Sequence, residues 1–160
     1  MTKKSIIIVV IIVIILALGF VAYKEFFNNN SNVNSSDAKS VQVGSINYNL
    51  PSGYHLESSD GNLSANISDG SNSLHLNVLN DDNVTKQFED YKAEKLANNK
   101  SVTLTKFTVK DTLVYRSNIV NDTGFIHYWF AYNKKVYSIS TWNGNNETDN
   151  VVSNLISSSI

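Results

Sequence analysis

The 160-residue sequence has no cysteine, a single proline and little charge. Without cysteine there can be no disulfide, no thiolate metal site, no cysteine nucleophile and no lipid anchor of the bacterial type. Stability must come from packing, and a domain of about 120 residues can bury roughly two thirds of its unfolded surface without a staple. Lysine and arginine number 13 against 14 aspartates and glutamates, a net charge of −1. With a pI near 6.3 and no basic stripe, the chain does not look like a nucleic-acid binder. Its polarity comes from asparagine and serine, which gives a soluble surface with little long-range electrostatic steering.

Catalytic signatures are also missing. No HExxH, GxSxG, P-loop or dinucleotide fingerprint occurs. The three histidines, His55, His75 and His127, sit in strand-like runs with no partner at ligand spacing, and read as packed or surface residues. Asp81-Asp82-Asn83 forms an acidic corner, but it lacks the spaced ligands and closing glutamate of a calcium loop, so helix capping explains it better. The expectation is a protein with no metal or cofactor and no enzymatic activity. A carboxylate pair facing across a cleft leaves no spacing rule, so a small cell-envelope hydrolase stays as an alternative.

What is present begins with location. From Ser5 to Tyr23 no charge interrupts 19 residues. As a helix this run spans roughly 28 Å, close to the hydrocarbon thickness of a bilayer. Lys3 and Lys4 favour a cytoplasmic start. The expected organisation is a cytoplasmic N-terminus (1–4), a transmembrane signal anchor (5–24), a flexible Asn/Ser-rich linker (25–40) and an extracytoplasmic domain (41–160). Two rivals are a cleaved signal peptide, with Ala17-Leu18-Gly19 as its site, and a pilin-like assembly subunit. The latter lacks the processing motif that precedes a pilin helix. Candidate glycosylation sequons occur at Asn29, Asn34, Asn62, Asn66, Asn83, Asn99, Asn121 and Asn146. Many arise by chance in so asparagine-rich a chain, and they matter only if the domain is exported and modified.

Past residue 40, four short alternating runs predict strands at 46–50, 54–58, 63–67 and 74–79, with Pro51-Ser52-Gly53 and Asp69-Gly70 as stops. The period then changes. Val84, Phe88 and Tyr91, with Leu96 on the same side, predict an amphipathic helix over 83–98, capped by Asp82 or Asn83. Four more strands follow at 102–109, 112–120, 125–132 and 135–142, on links too short for anything but antiparallel neighbours. A closing helix lies within 146–160, capped by Asn146 or Thr148, with Asp149 in its first turn. The predicted class is α+β: an antiparallel β-sheet sandwich with two helices in the order ββββ-α-ββββ-α.

This order, carried by INYNLPSGYHL, by LHLNVLN leading into the 83–98 helix, and by YWFAYNKKVYSIS before a terminal helix, resembles the PsbP/Mog1-like family. The resemblance covers about residues 44–160 and lies in order and pattern, not in a diagnostic motif. Its members include photosystem accessory proteins, nuclear-transport factors and anchored surface domains of unassigned role. It implies a curved antiparallel sheet covered by helices and, in most members, a non-catalytic binding module.

The stretch GFIHYWFAYNKKVYSISTW, 124–142, is the densest aromatic run. A two-residue hairpin at Asn133-Lys134 sets Phe130, Tyr128 and Ile126 opposite Tyr137, Ile139 and Thr141 on a side assigned to the core. The other side carries Phe125, His127, Trp129 and Trp142 among serines. Either the second helix or the N-terminal strands cover it, or those four residues form a groove for a protein partner or a cell-envelope glycan. A one-residue slip would exchange the two sides.

Overall fold

The computed structural model describes residues 38–121, 124–145 and 147–160. The expected anchor, most of the linker, and the sequons at Asn29, Asn34 and Asn146 lie outside the described residues. Among those described, no helix is long and apolar enough to cross a membrane.

The described part is an α+β domain built mostly of antiparallel sheet. Its elements are β1 (Ser40–Val43), β2 (Ile46–Asn49), β3 (His55–Asp60), β4 (Ser64–Ser68), β5 (Ser73–Leu79), α1 (Val84–Ala97), β6 (Val102–Val109), β7 (Thr112–Ile119), β8 (Ile126–Tyr132), β9 (Lys135–Thr141) and α2 (Thr148–Ser157). Five strands therefore precede α1, not the four predicted. Strand β1 was missed because it offers only two apolar residues, Val41 and Val43, around Gln42. Such a short alternation carries no signal alone; it becomes a strand by pairing with β2 and burying both valines. The linker correspondingly ends earlier than residue 40, since Ala38 packs against the core and the Leu50 amide donates to the Lys39 carbonyl at 2.9 Å.

Strands β1 and β2 pair only with each other, while the remaining seven form one sheet in the order β3-β4-β5-β9-β8-β7-β6. The non-consecutive pairing of β5 with β9 joins the N-terminal strands to the C-terminal hairpin. One sheet face carries the main core. Leu56, Ile67, Leu74, Leu76, Tyr128, Phe130, Tyr137 and Ile139 pack there against the β1–β2 hairpin and against Val152, Leu155 and Ile156 of α2. The opposite face is covered in part by α1, whose Val84 and Phe88 pack on Trp129 and Val136.

Local chemistry sets the ends of the helices. The Asn83 side chain accepts the Lys86 amide at 3.0 Å and caps α1. Leu96, expected on the buried side, is 53% exposed, because the helix leaves the sheet before its last turn. Thr148, one of the two expected caps, is instead the first residue of α2, whose N-cap position is Glu147; the other, Asn146, lies outside the described residues. Asn145 Oδ1 accepts the amides of Glu147 and Thr148. Asp149 in the first turn of α2 accepts from Tyr128 Oη at 2.6 Å and Arg116 Nε at 2.7 Å, tying the helix to β8 and β7.

The β8–β9 hairpin turns at Asn133-Lys134 as expected, with φ of 48° and 60°. That doubly left-handed pair is the mark of the primed turn matching strand twist. The register is the predicted one, with Phe130 opposite Tyr137, Tyr128 opposite Ile139 and Trp129 opposite Ser138.

Candidate functional site

The second face of the hairpin is covered by α1, not by the second helix or the N-terminal strands; α2 lies on the other side of the sheet. The cover is incomplete, and it divides the four residues expected to form a groove. Trp129 is 2% exposed and meets Phe88 and Tyr91 edge-on at 6.0 and 5.0 Å. It belongs to the core. Trp142, at the far end of the same face, is 75% exposed. His127 and Phe125 lie between them and are half-buried.

The rings form one connected row. His127 stacks on Trp129 with centroids 3.8 Å apart, Phe125 meets His127 edge-on at 6.0 Å, and Trp142 lies against Phe125 at 4.4 Å. The row is aligned because His127 and Trp129 share one face of β8 and Phe125, just before the strand, continues the alternation. Its open end is clamped by backbone. The Gly144 amide donates to the Gly124 carbonyl at 2.7 Å, and any β-carbon at Gly124 would collide with the Trp142 carbonyl. Only glycine permits that approach, which holds Phe125 beside Trp142.

Beside the row runs a cleft of about 320 Å³ between α1 and strands β5, β8 and β9. Its sheet side mixes polar and apolar groups: His75, Asn77 and Leu79 from β5, Ser138 and Ser140 from β9, and His127 and Trp129 from β8. His75 and His127 both lie directly across from Ser140, one on each neighbouring strand. On the helix side, Gln87, Asp90, Tyr91 and Glu94 line it. The acids are compensated: Asp90 accepts from Lys86 Nζ and Glu94 from Lys95 Nζ, each at 2.7 Å. Gln87 Nε2 donates to Asp81 Oδ2 at 2.8 Å. With the amides of Asn83 and Asp82 and the charge of Lys86, that bond holds the Asp81 carboxyl down to about 2.

The two imidazoles differ. His75 Nδ1 lies 2.8 Å from Asn66 Oδ1, while Asn66 Nδ2 donates to Ser58 Oγ at 2.9 Å. That orientation of the amide makes Nδ1 of His75 the donor in this bond. Both nitrogens of His127 are buried without a hydrogen-bond partner among the described residues, as is Oγ of Ser117, the residue directly across from it on β7. Burial, with repulsion from Lys95 and His75 adding to it, pushes the His127 imidazole down to about 3, so it is neutral at physiological pH.

Among the described residues no group of three or more histidines and acids could hold a metal ion. His55 lies on β3, away from the cleft. Of the described sequons, Asn62, Asn83, Asn99 and Asn121 are exposed and Asn66 is half-buried. The Asn83 and Asn66 side chains already serve as helix cap and His75 partner. Sequence reasoning selected His127, Phe125, Trp129 and Trp142 but missed His75, Asn77, Gln87, Tyr91 and Glu94. The signal was there in outline: positions 75, 77 and 79 alternate with the core residues Leu74, Leu76 and Val78. Their meeting with β9 depends on a pairing across some 60 residues, which alternation does not encode.

No protein-family model matches the chain, and no curated protein matches it at a significant level.

Proposed function

We propose that this chain is a membrane-anchored, extracytoplasmic, non-enzymatic binding domain of the PsbP/Mog1-like kind, which holds a protein partner or cell-envelope component at the open end of its aromatic row. The observation that carries this reading is Trp142: 75% exposed, yet held against Phe125 at 4.4 Å. A large aromatic fixed in solvent offers contact area at low entropic cost, the usual makeup of an interaction hot spot. The anchor rests on the uncharged run from Ser5 to Tyr23 and the lysines before it.

Two measurements test the reading. Protease added to intact cells should remove the 41–160 domain and leave the anchor in the membrane fraction; a domain protected until lysis would overturn the topology. A photo-crosslinking amino acid in place of Trp142 or its neighbour Asn143, in the full-length protein in its own cells, should capture a defined component from position 143. Capture from position 143 should be lost in the Trp142→Ala background. An unchanged capture pattern in that background, or none at all, would overturn the assignment of this face.

A further inference from the structure

We propose that the cleft between α1 and strands β5, β8 and β9 receives one ring of a neutral, polyhydroxylated ligand, a glycan unit, and that Trp142, further along the same sheet face, stacks on a following ring. The inference deepens the binding role proposed above and rests on it. A volume of about 320 Å³ lies at the small end of the roughly 300–1,000 Å³ usual for ligand clefts, which suits one compact unit and not a run of peptide.

Charge narrows the ligand class. No lysine or arginine lines the cleft, so an anion finds no partner in it. The two carboxylates that do line it, Asp90 and Glu94, each hold a lysine of their own at 2.7 Å, so a cation would have to displace an existing pair. Lys95 also stands 5.0 Å from the centre of the Tyr91 ring, so that ring already has a cation over it.

The lining matches hydroxyl groups, each of which donates one hydrogen bond and accepts others. Ser138, Ser140, Asn77 and Gln87 offer both kinds of group. The nitrogens of His127 and Oγ of Ser117 are buried without partners among the described residues. An unmet buried polar group is destabilising, so a ligand hydroxyl reaching His127 relieves a cost the protein bears alone. An apolar ligand would meet Leu79 and Trp129 but leave the serines and His127 unanswered. Aromatic rings beside such polar groups fit a sugar, whose flat C–H face and polar rim call for both.

The test uses the full-length chain in a detergent without a sugar headgroup. Neutral tetramers of glucose, mannose and N-acetylglucosamine are compared with an anionic galacturonate tetramer and a cationic glucosamine tetramer, by calorimetry and tryptophan fluorescence. At least one neutral tetramer should bind roughly tenfold more tightly than either charged one. Trp142→Ala should weaken it about tenfold. Ser140→Ala, and His127→Phe, which keeps the stack on Trp129 but removes both nitrogens, should each weaken it several-fold with no loss of thermal stability. Binding of no neutral tetramer at millimolar concentration, equal or tighter binding of a charged one, or indifference to all three variants would overturn the proposal. If no glycan binds but crosslinking near position 142 captures a protein in a Trp142-dependent way, the glycan assignment fails while the binding role stands. If both fail, the binding role falls too.

Discussion

His127 and Trp129 lie nearly face to face, ring centroids 3.8 Å apart and planes 24° from parallel, at consecutive same-face positions of β8. The stack buries an imidazole under α1 beside Tyr91, whose ring meets it edge-on at 5.4 Å. The pair marks where the covered part of the face ends and the open part begins.

Acid should loosen the domain through His127. Its folded value near 3 lies below the ordinary value of about 6.5, so between the two the unfolded chain binds more protons. Its contribution is complete above pH 6.5 and is lost as pH falls toward 3, by at most about 1.4 kcal/mol per pH unit for one group. Urea unfolding at pH 7, 5.5 and 4.5 should show falling stability, and His127→Phe should flatten that fall. Asp81 acts in the same direction only at lower pH, between its ordinary value near 4 and about 2, so the fall between pH 6.5 and 4 reports His127 and the two overlap below that.

The two tryptophans should part company. Trp129→Ala removes a side chain packed against Phe88, Tyr91 and His127, and should cost about 3–5 kcal/mol in urea unfolding. Trp142→Ala should change stability by no more than about 0.5 kcal/mol. In fluorescence, iodide should quench the Trp142 emission and leave that of Trp129 largely intact.

Asp149 carries two bonds that dock α2, from Tyr128 Oη and Arg116 Nε. Burial, and then the bond to Asp149, raise the Tyr128 hydroxyl well above the ordinary tyrosine range, so it stays protonated and donates. Asp149→Ala leaves that buried hydroxyl unmatched and should cost about 2 kcal/mol. Adding Tyr128→Phe should recover part of the loss, and a double-mutant cycle in urea measures how much.

Lys134 sits at φ 60°, a conformation that costs an L-residue roughly 1 kcal/mol. Lys134→Gly turns Asn133-Lys134 into the preferred Asn-Gly pair and should stabilise the domain by about 0.5–1 kcal/mol. Gly124→Ala should do the opposite, because a β-carbon there meets the Trp142 carbonyl. It should also pull Phe125 from Trp142, which would appear as a change in Trp142 fluorescence.

Much of the fold was legible because its signals are local. The alternation of residues 126, 128 and 130, the tight turn at Asn133-Lys134 and the spacing of Val84, Phe88 and Tyr91 set the hairpin register and helix α1, since each depends on a few neighbouring residues. The β1 strand and the exposure of Leu96 were not legible. Two valines form a strand only when a partner and a core are there to bury them, and a helix face is buried only as far as the sheet beneath it extends. The sequence by itself determined that 125, 127 and 129 share a side and that Trp142 joins them. Only the tertiary structure decided that α1 closes over Trp129 and stops short of Trp142. It alone decided, too, that β5 brings His75 to the strand shared with His127. Both outcomes come from contacts between residues dozens of positions apart, where packing of surfaces, not chain-local preference, selects the arrangement.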